Sequence, residues 1–222
     1  MLRRSWLLVL LTVPVPLQGQ APALAMPAQD IGEEHYGDPP PVRDDASWLG
    51  LFAEPDSSWL QRVEVRWDHS VREGWGRHTY VVEPETPVLL LVGLPQLRPG
   101  PAETVLRWTE SMYFGGQSVD VVLGSMEYSI AVPGEDPGTC DAVVTLSHGA
   151  RSQVLFRAED EQLLSCDEPH FDVHWAGDLD GDGRLDLLAT FSVKYSDHPR
   201  RLYLSSAADE GSLVGQVSLF ER

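Results

Sequence analysis

The stretch Phe171-Asp172-Val173-His174-Trp175-Ala176-Gly177-Asp178-Leu179-Asp180-Gly181-Asp182-Gly183-Arg184-Leu185-Asp186-Leu187-Leu188-Ala189-Thr190-Phe191-Ser192-Val193 decides the fold. Ahead of its acidic centre, Phe171, Val173 and Trp175 alternate with other residues. Behind it, Leu185, Leu187, Ala189, Phe191 and Val193 do the same. A period of two is the mark of a strand, so the acidic segment joins two strands. Its carboxylates, Asp178, Asp180, Asp182 and Asp186, stand at loop positions 1, 3, 5 and 9. Gly183 at position 6 suits a sharp turn with positive φ. Arg184 at position 7 supplies a backbone carbonyl, and Leu185 pins the loop to the core. Hard oxygen ligands in this spacing suit Ca²⁺, while Mg²⁺ fits an all-protein cage less well. Without a cation the carboxylates repel one another, so the empty loop is expected to be poorly ordered. The expectation is one structural Ca²⁺ held by Asp178, Asp180, Asp182, the Arg184 carbonyl and Asp186.

The loop is not an EF-hand. Position 12 is Ala189, where an EF-hand carries a bidentate glutamate, and the flanks are strands. From Trp175-Ala176-Gly177 through Leu188 it resembles the calcium loops of FG-GAP and VCBS repeats and integrin-type propeller blades. It is also similar to a group of uncharacterised exported bacterial proteins in which such a loop is followed by a strand ending in Leu-Ser-Ser, here Leu204-Ser205-Ser206. The resemblance covers about 35 residues of the 222 and implies a calcium loop. It does not imply a propeller, because a single copy is present and propeller blades recur at ~40–50 residues.

Working outward, short alternating or continuous apolar runs are read as strands at 63–67, 79–82, 88–92, 119–123, 127–132, 142–146, 153–156, 201–204 and 213–220. Val88–Val92 is continuous and suits a strand buried on both faces. Gly74 and Gly76 mark a turn, Gly124-Ser125 another, and His148-Gly149-Ala150 a hairpin. Leu97–Pro101 is read as a turn. Only Trp48–Phe52 and Pro55–Gln61 allow a short helix. Many short strands between Gly and Pro turns predict an all-β fold, an antiparallel sandwich or irregular barrel, in one domain over 48–222.

The N-terminus is read as a signal peptide over 1–25. Arg3 and Arg4 precede the apolar run Trp6–Val13, and Ala23-Leu24-Ala25 offers a cleavage point after Ala25. The apolar run is too short for a membrane span. Residues 26–47 hold Pro27, Pro39, Pro40 and Pro41 with six acids against one arginine. They are expected to form a disordered acidic tail. Export to the periplasm or beyond makes pairing of the two cysteines, Cys140 and Cys166, the default.

The composition bounds the partners. The 222 residues are 42% hydrophobic and 23% charged, with a net charge of −18 from 34 acidic and 16 basic residues. So acidic a chain repels nucleic acid and anionic membranes, and cations are its natural small partners. No Gly-x-Ser-x-Gly, His-Glu-x-x-His, Walker or dinucleotide motif is present. His170, Asp172 and His174 share one strand face, but three ligands along one strand spread over ~13 Å and do not converge on zinc. They are read as an exposed polar face opposite a Phe-Val-Trp core face. Trp59, Trp67, Trp75, Tyr80, Trp108, Tyr113 and Phe114 suit either core packing or a sugar-stacking platform. The leading expectation is an exported, calcium-stabilised binding or scaffold protein without catalysis. A carbohydrate-binding or adhesion module, meeting carbohydrate or an extracellular protein, and an unrecognised hydrolase stay as alternatives.

Overall fold

The computed structural model describes residues 23–31, 35–36, 47–72, 75–84, 87–107, 115–133, 140, 142–160, 169–194 and 198–220. They form fifteen strands and three 3-10 turns, and no helix among them is long and apolar enough to cross a membrane. The strands are β1 (Leu24–Pro27), β2 (His35–Tyr36), β3 (Trp48–Glu54), β4 (Ser57–Arg72), β5 (Trp75–Glu83), β6 (Leu89–Val92), β7 (Gly100–Arg107), β8 (Ser118–Leu123), β9 (Met126–Ala131), β10 (Val143–His148), β11 (Arg151–Arg157), β12 (His170–Asp178), β13 (Asp186–Ser192), β14 (Arg200–Leu204) and β15 (Gly215–Phe220).

The protein is all-β, and both expected architectures occur in it. Nine strands run in the order β1-β6-β3-β4-β7-β12-β13-β14-β15 as one antiparallel sheet, to which β5 and β2 are added beside β4. The outermost strands meet, since β1 packs against β14 and β15, so the sheet nearly closes into a barrel. A second sheet, β11-β10-β9-β8, lies against one outer face of it.

The pairing of apolar faces explains this arrangement. In β12–β14, Phe171, Val173, Leu187, Ala189, Phe191 and Tyr203 face the second sheet, meeting Val119, Val121, Ile130, Leu146 and Phe156. Trp175, Leu188, Leu202 and Leu204 join the other core, with Leu49, Leu51, Leu60, Leu89 and Leu91. Strands covered on both sides need apolar residues on both faces, and every residue of β12 and β13 is buried. The continuous run in β6 behaves as expected: Leu89 and Leu91 enter one core, Leu90 and Val92 another with Trp48, Val63 and Tyr80. The hairpins at Gly124 (φ 58°) and Gly149 (φ 57°) lie where the turn residues place them.

Three expectations are corrected. Trp48–Phe52 and Pro55–Gln61 are strand, not helix: β3 and β4 form a hairpin from Trp48↔Val63 to Glu54↔Ser57, leaving Pro55-Asp56 as its turn. A run as apolar as Trp48-Leu49-Gly50-Leu51 has no polar face to give an isolated helix, and between β4 and β6 it is buried on both sides. The supposed turn at Leu97–Pro101 already contains the start of β7, whose Pro101 and Gly100 pair with Trp59 and Leu60. Part of the expected tail is also ordered. β1 pairs with β6 from Leu24↔Val92 to Pro27↔Leu89, and Leu24, Ala25 and Met26 are buried. Asp30 follows at 0% exposure in a bidentate pair with Arg200, Nε–Oδ2 3.0 Å and Nη2–Oδ1 3.2 Å. Four apolar or small residues and one internal carboxylate thus outweigh the acidic, proline-rich composition around them. A cut after Ala25 would divide β1.

Candidate metal centre

The acidic loop spans the gap between β12 and β13, which pair as far as Gly177↔Asp186. Leu179 and Leu185 are buried in opposite cores and hold the loop at both ends. Gly181 and Gly183 take φ of 79° and 75°, the left-handed region where a side chain is strained.

Asp178 is the organiser. Its Oδ1 accepts the backbone N–H groups of Gly181 (2.7 Å) and Asp182 (3.2 Å), and its Oδ2 that of Gly183 (2.8 Å). Asp186 closes the other side. Its Oδ2 accepts from Leu179 N (2.7 Å) and its Oδ1 from Ser205 N (2.8 Å). Burial pushes the Asp186 carboxyl up to about 7; those two N–H groups pull it down, and the charges of Asp180 and Asp178 push it up again. Asp180 accepts from the Ser206 hydroxyl through Oδ2, while its buried Oδ1 has no hydrogen-bond partner among the described residues. Asp178, Asp180 and Asp186 offer carboxylate oxygens within 4.8 Å of one another.

Asp182 and Arg184 stand apart from this cluster. The Asp182 carboxylate accepts from Arg184 N (2.9 Å), Nε (2.9 Å) and Nη2 (2.6 Å), and from Ser205 Oγ (2.8 Å). Burial pushes Asp182 up, but the Ser205 and Arg184 hydrogen bonds outweigh it and hold the carboxyl below its usual range. The structure therefore gathers three of the four expected carboxylates, and Arg184 neutralises the fourth. The serines of Leu204-Ser205-Ser206 gain a role that spacing alone did not reveal: they cap Asp186, Asp182 and Asp180 from the end of β14.

A second polar group lies on the face of β12–β14 opposite the second sheet. Register places His170 beside Ser192, and Asp172, Thr190 and Arg200 in one row. These residues are buried, so the expected exposed face is corrected: it points into the barrel. A bulge between Val173 and Trp175 leaves His174 as the extra residue, and its Nε2 meets Thr190 Oγ1 at 2.9 Å. Arg200 Nη1 donates to the same Oγ1 at 2.7 Å. Thr190 Oγ1 thus accepts from Arg200 and shares a hydrogen bond with the His174 ring. Burial, then the charges of Arg200 and His198, push His174 down to about 2, so it is neutral in ordinary buffers. His198 was not singled out in the sequence; it carries no motif and is delivered by the start of β14, its ring 5.4 Å from that of His170.

The aromatic set does not assemble into one described platform. Tyr80 is buried against Trp48, and Trp59 stacks on Phe52 at 5.9 Å on the β3–β4 hairpin. Trp108, Tyr113 and Phe114, and the side chains of Trp67 and Trp75, lie outside the described residues, as does Cys166. A cavity of about 370 Å³ beside β3 and β6 is lined by Ser47, Arg62, Arg98 and apolar residues, with neither an aromatic ring nor a carboxylate. Comparison with protein-family models, with curated proteins and with solved structures gives no match to this chain.

Proposed function

We propose that the protein is an exported all-β scaffold or binding protein in which one Ca²⁺ clips the β12–β13 loop to the end of β14. The observation that carries this reading is the buried Oδ1 of Asp180, without a hydrogen-bond partner among the described residues, beside the carboxylates of Asp178 and Asp186. Two unit charges ~4 Å apart repel by about 4 kcal/mol at an effective dielectric of 20, and a hard cation turns that repulsion into attraction. Oxygen donors alone, with no histidine or thiol, favour Ca²⁺ over transition ions. The resemblance to FG-GAP and VCBS loops points the same way. The ion would be held by Asp178, Asp180 and Asp186, with the Arg184 carbonyl and water completing its shell. Asp182 serves the loop through Arg184.

An ion that binds the folded state alone stabilises it by about 2.7 kcal/mol at a hundredfold excess over its dissociation constant. For a chain of this size that is a rise of roughly 5–10 °C in melting temperature. With a dissociation constant on the order of 10⁻⁴–10⁻³ M, calcium at about 10–100 mM is expected to produce this rise, and a chelator to reverse it. Asp180→Asn should cut the response to about half or less without unfolding the protein, since Asp180 gives the fold little besides the Ser206 contact. A melting temperature indifferent to both additions defeats the reading.

Two further parts of the proposal have their own tests. Cys140 and Cys166 are proposed to form a disulfide closing a loop of about 25 residues, worth ~3 kcal/mol in the chain-entropy view. Native protein should show no free thiol before reduction, and two equivalents of free thiol would refute the bond. Export is proposed to remove the leader without dividing β1. Ala21-Pro22-Ala23 also has small residues at both recognition positions. N-terminal sequencing of exported protein is expected to begin at Leu24. A start at Met26 would mean that the mature fold lacks half of β1.

A further inference from the structure

We propose that His170, Asp172 and His198 form a second metal site, for a first-row divalent transition ion of the Zn²⁺ type. Their ligand atoms lie within 4.8 Å of one another. The donor set, two imidazoles and a carboxylate, is the borderline chemistry of zinc and its neighbours and differs from the all-oxygen loop. A single strand could not assemble it. The segment just ahead of β14, which pairs through Arg200 with Thr190, brings in His198 and so replaces His174, which the bulge turns toward Thr190.

Asp172 supplies an independent observation. It is 5% exposed, and its Oδ1 has no hydrogen-bond partner among the described residues. A buried carboxylate oxygen without a donor is costly, and an ion in the gap between Asp172 and the two imidazoles would satisfy it. The neighbouring Arg200 does not stand in for that ion, because its guanidinium is already matched by Asp30 and bonded to Thr190. The ring centroids of His170 and His198, 5.4 Å apart, suit two imidazoles on one ion, for which Zn–N bonds of 2.0–2.1 Å give roughly 4.5–5.5 Å. His198 is only half-buried and lies ahead of β14, so rotation of its side chain can tighten the set. Three protein ligands leave a position for water or a small ligand.

The test uses the full chain with calcium at tens of millimolar, well above the dissociation constant expected for the loop, so that the acidic loop is filled. Co²⁺ is titrated and followed by its visible d–d bands, then displaced with Zn²⁺. One Co²⁺ per chain, displaced by one Zn²⁺, is expected. Loss of an outer-shell partner already costs 10–100-fold in metal affinity, so His198→Ala should weaken Zn²⁺ binding by roughly a hundredfold. Asp172→Asn keeps the shape of the side chain and should weaken it comparably. His148→Ala, at a histidine that instead meets the Glu127 carbonyl and stacks on Tyr128, should leave the affinity unchanged. No cobalt spectrum, or an affinity unaltered in both His198→Ala and Asp172→Asn, overturns the site. Either result leaves the calcium response of the loop intact, so the two metal readings fail separately.

Discussion

Asp30→Ala is expected to destabilise the protein by about 3–5 kcal/mol, the usual cost of removing one partner from a buried ion pair. Arg200 is 4% exposed and Asp30 0%, so the remaining guanidinium has no access to bulk water. It cannot relieve itself by deprotonation, because arginine stays charged in proteins. Its remaining hydrogen-bond partners among the described residues, Thr190 Oγ1 and the His198 carbonyl, are neutral, and the nearby Asp172 carboxylate offsets its charge only through space. In urea the transition midpoint should fall with little change in slope. Adding Arg200→Met removes the orphaned charge, so the double variant is expected to recover part of the loss. The comparison also tests the N-terminal segment. A loss below ~0.5 kcal/mol, the range of ordinary surface substitutions, would place residues 24–31 outside the core.

Gly177→Ala is expected to be the most damaging single-methyl change near the acidic loop. A Cβ at this position would lie 2.0 Å from the Glu103 carbonyl oxygen and 2.6 Å from the Trp175 ring. The first obstacle is backbone, so no rotamer change relieves it. β7 must withdraw from β12, where Gly177 pairs with Thr104 and Asp178 with Glu103. Trp175 is held too, donating from Nε1 to Thr104 Oγ1 at 3.1 Å. Overpacking of well-ordered sites costs about 1–3 kcal/mol and sometimes more, and a backbone clash belongs at or above the top of that range. The shift also displaces Asp178, which organises the loop. Calcium affinity should therefore fall along with the melting temperature. A variant with wild-type stability and wild-type calcium response would contradict the close approach of β7 and β12.

The strands legible in the sequence were those whose two faces differ or whose run is wholly apolar. Phe171–Trp175, Leu185–Val193 and Val88–Val92 are of this kind. The acidic loop was legible because its residues are contiguous, so that spacing stands in for geometry. Three things were hidden for physical reasons. β1 is four residues long, and its first residues, Leu24 and Ala25, read as the cleavage end of the leader. β3 is apolar on nearly every residue, and the start of β4, Ser57-Ser58-Trp59-Leu60-Gln61, sets its two apolar residues side by side, so neither shows a periodicity that separates strand from helix. The His170–Asp172–His198 group depends on the register of three strands, which a linear sequence does not display; the visible signal was only the His170-Phe171-Asp172 alternation. Asp182 shows that spacing alone does not display a side chain's partners. It stands at a ligand position in the sequence, but an arginine two residues on captures it.

The most direct test of the central claim is a calorimetric titration of calcium into metal-free full-length protein, repeated with Asp180→Asn. The expected result is one site per chain with a dissociation constant on the order of 10⁻⁴–10⁻³ M, typical of extracellular calcium modules. In Asp180→Asn it should weaken by roughly tenfold or more, about 1.4 kcal/mol per decade, while the fold is retained by circular dichroism. Absence of calcium binding by the wild-type chain, or equal binding by Asp180→Asn, would contradict a calcium clip built on Asp178, Asp180 and Asp186.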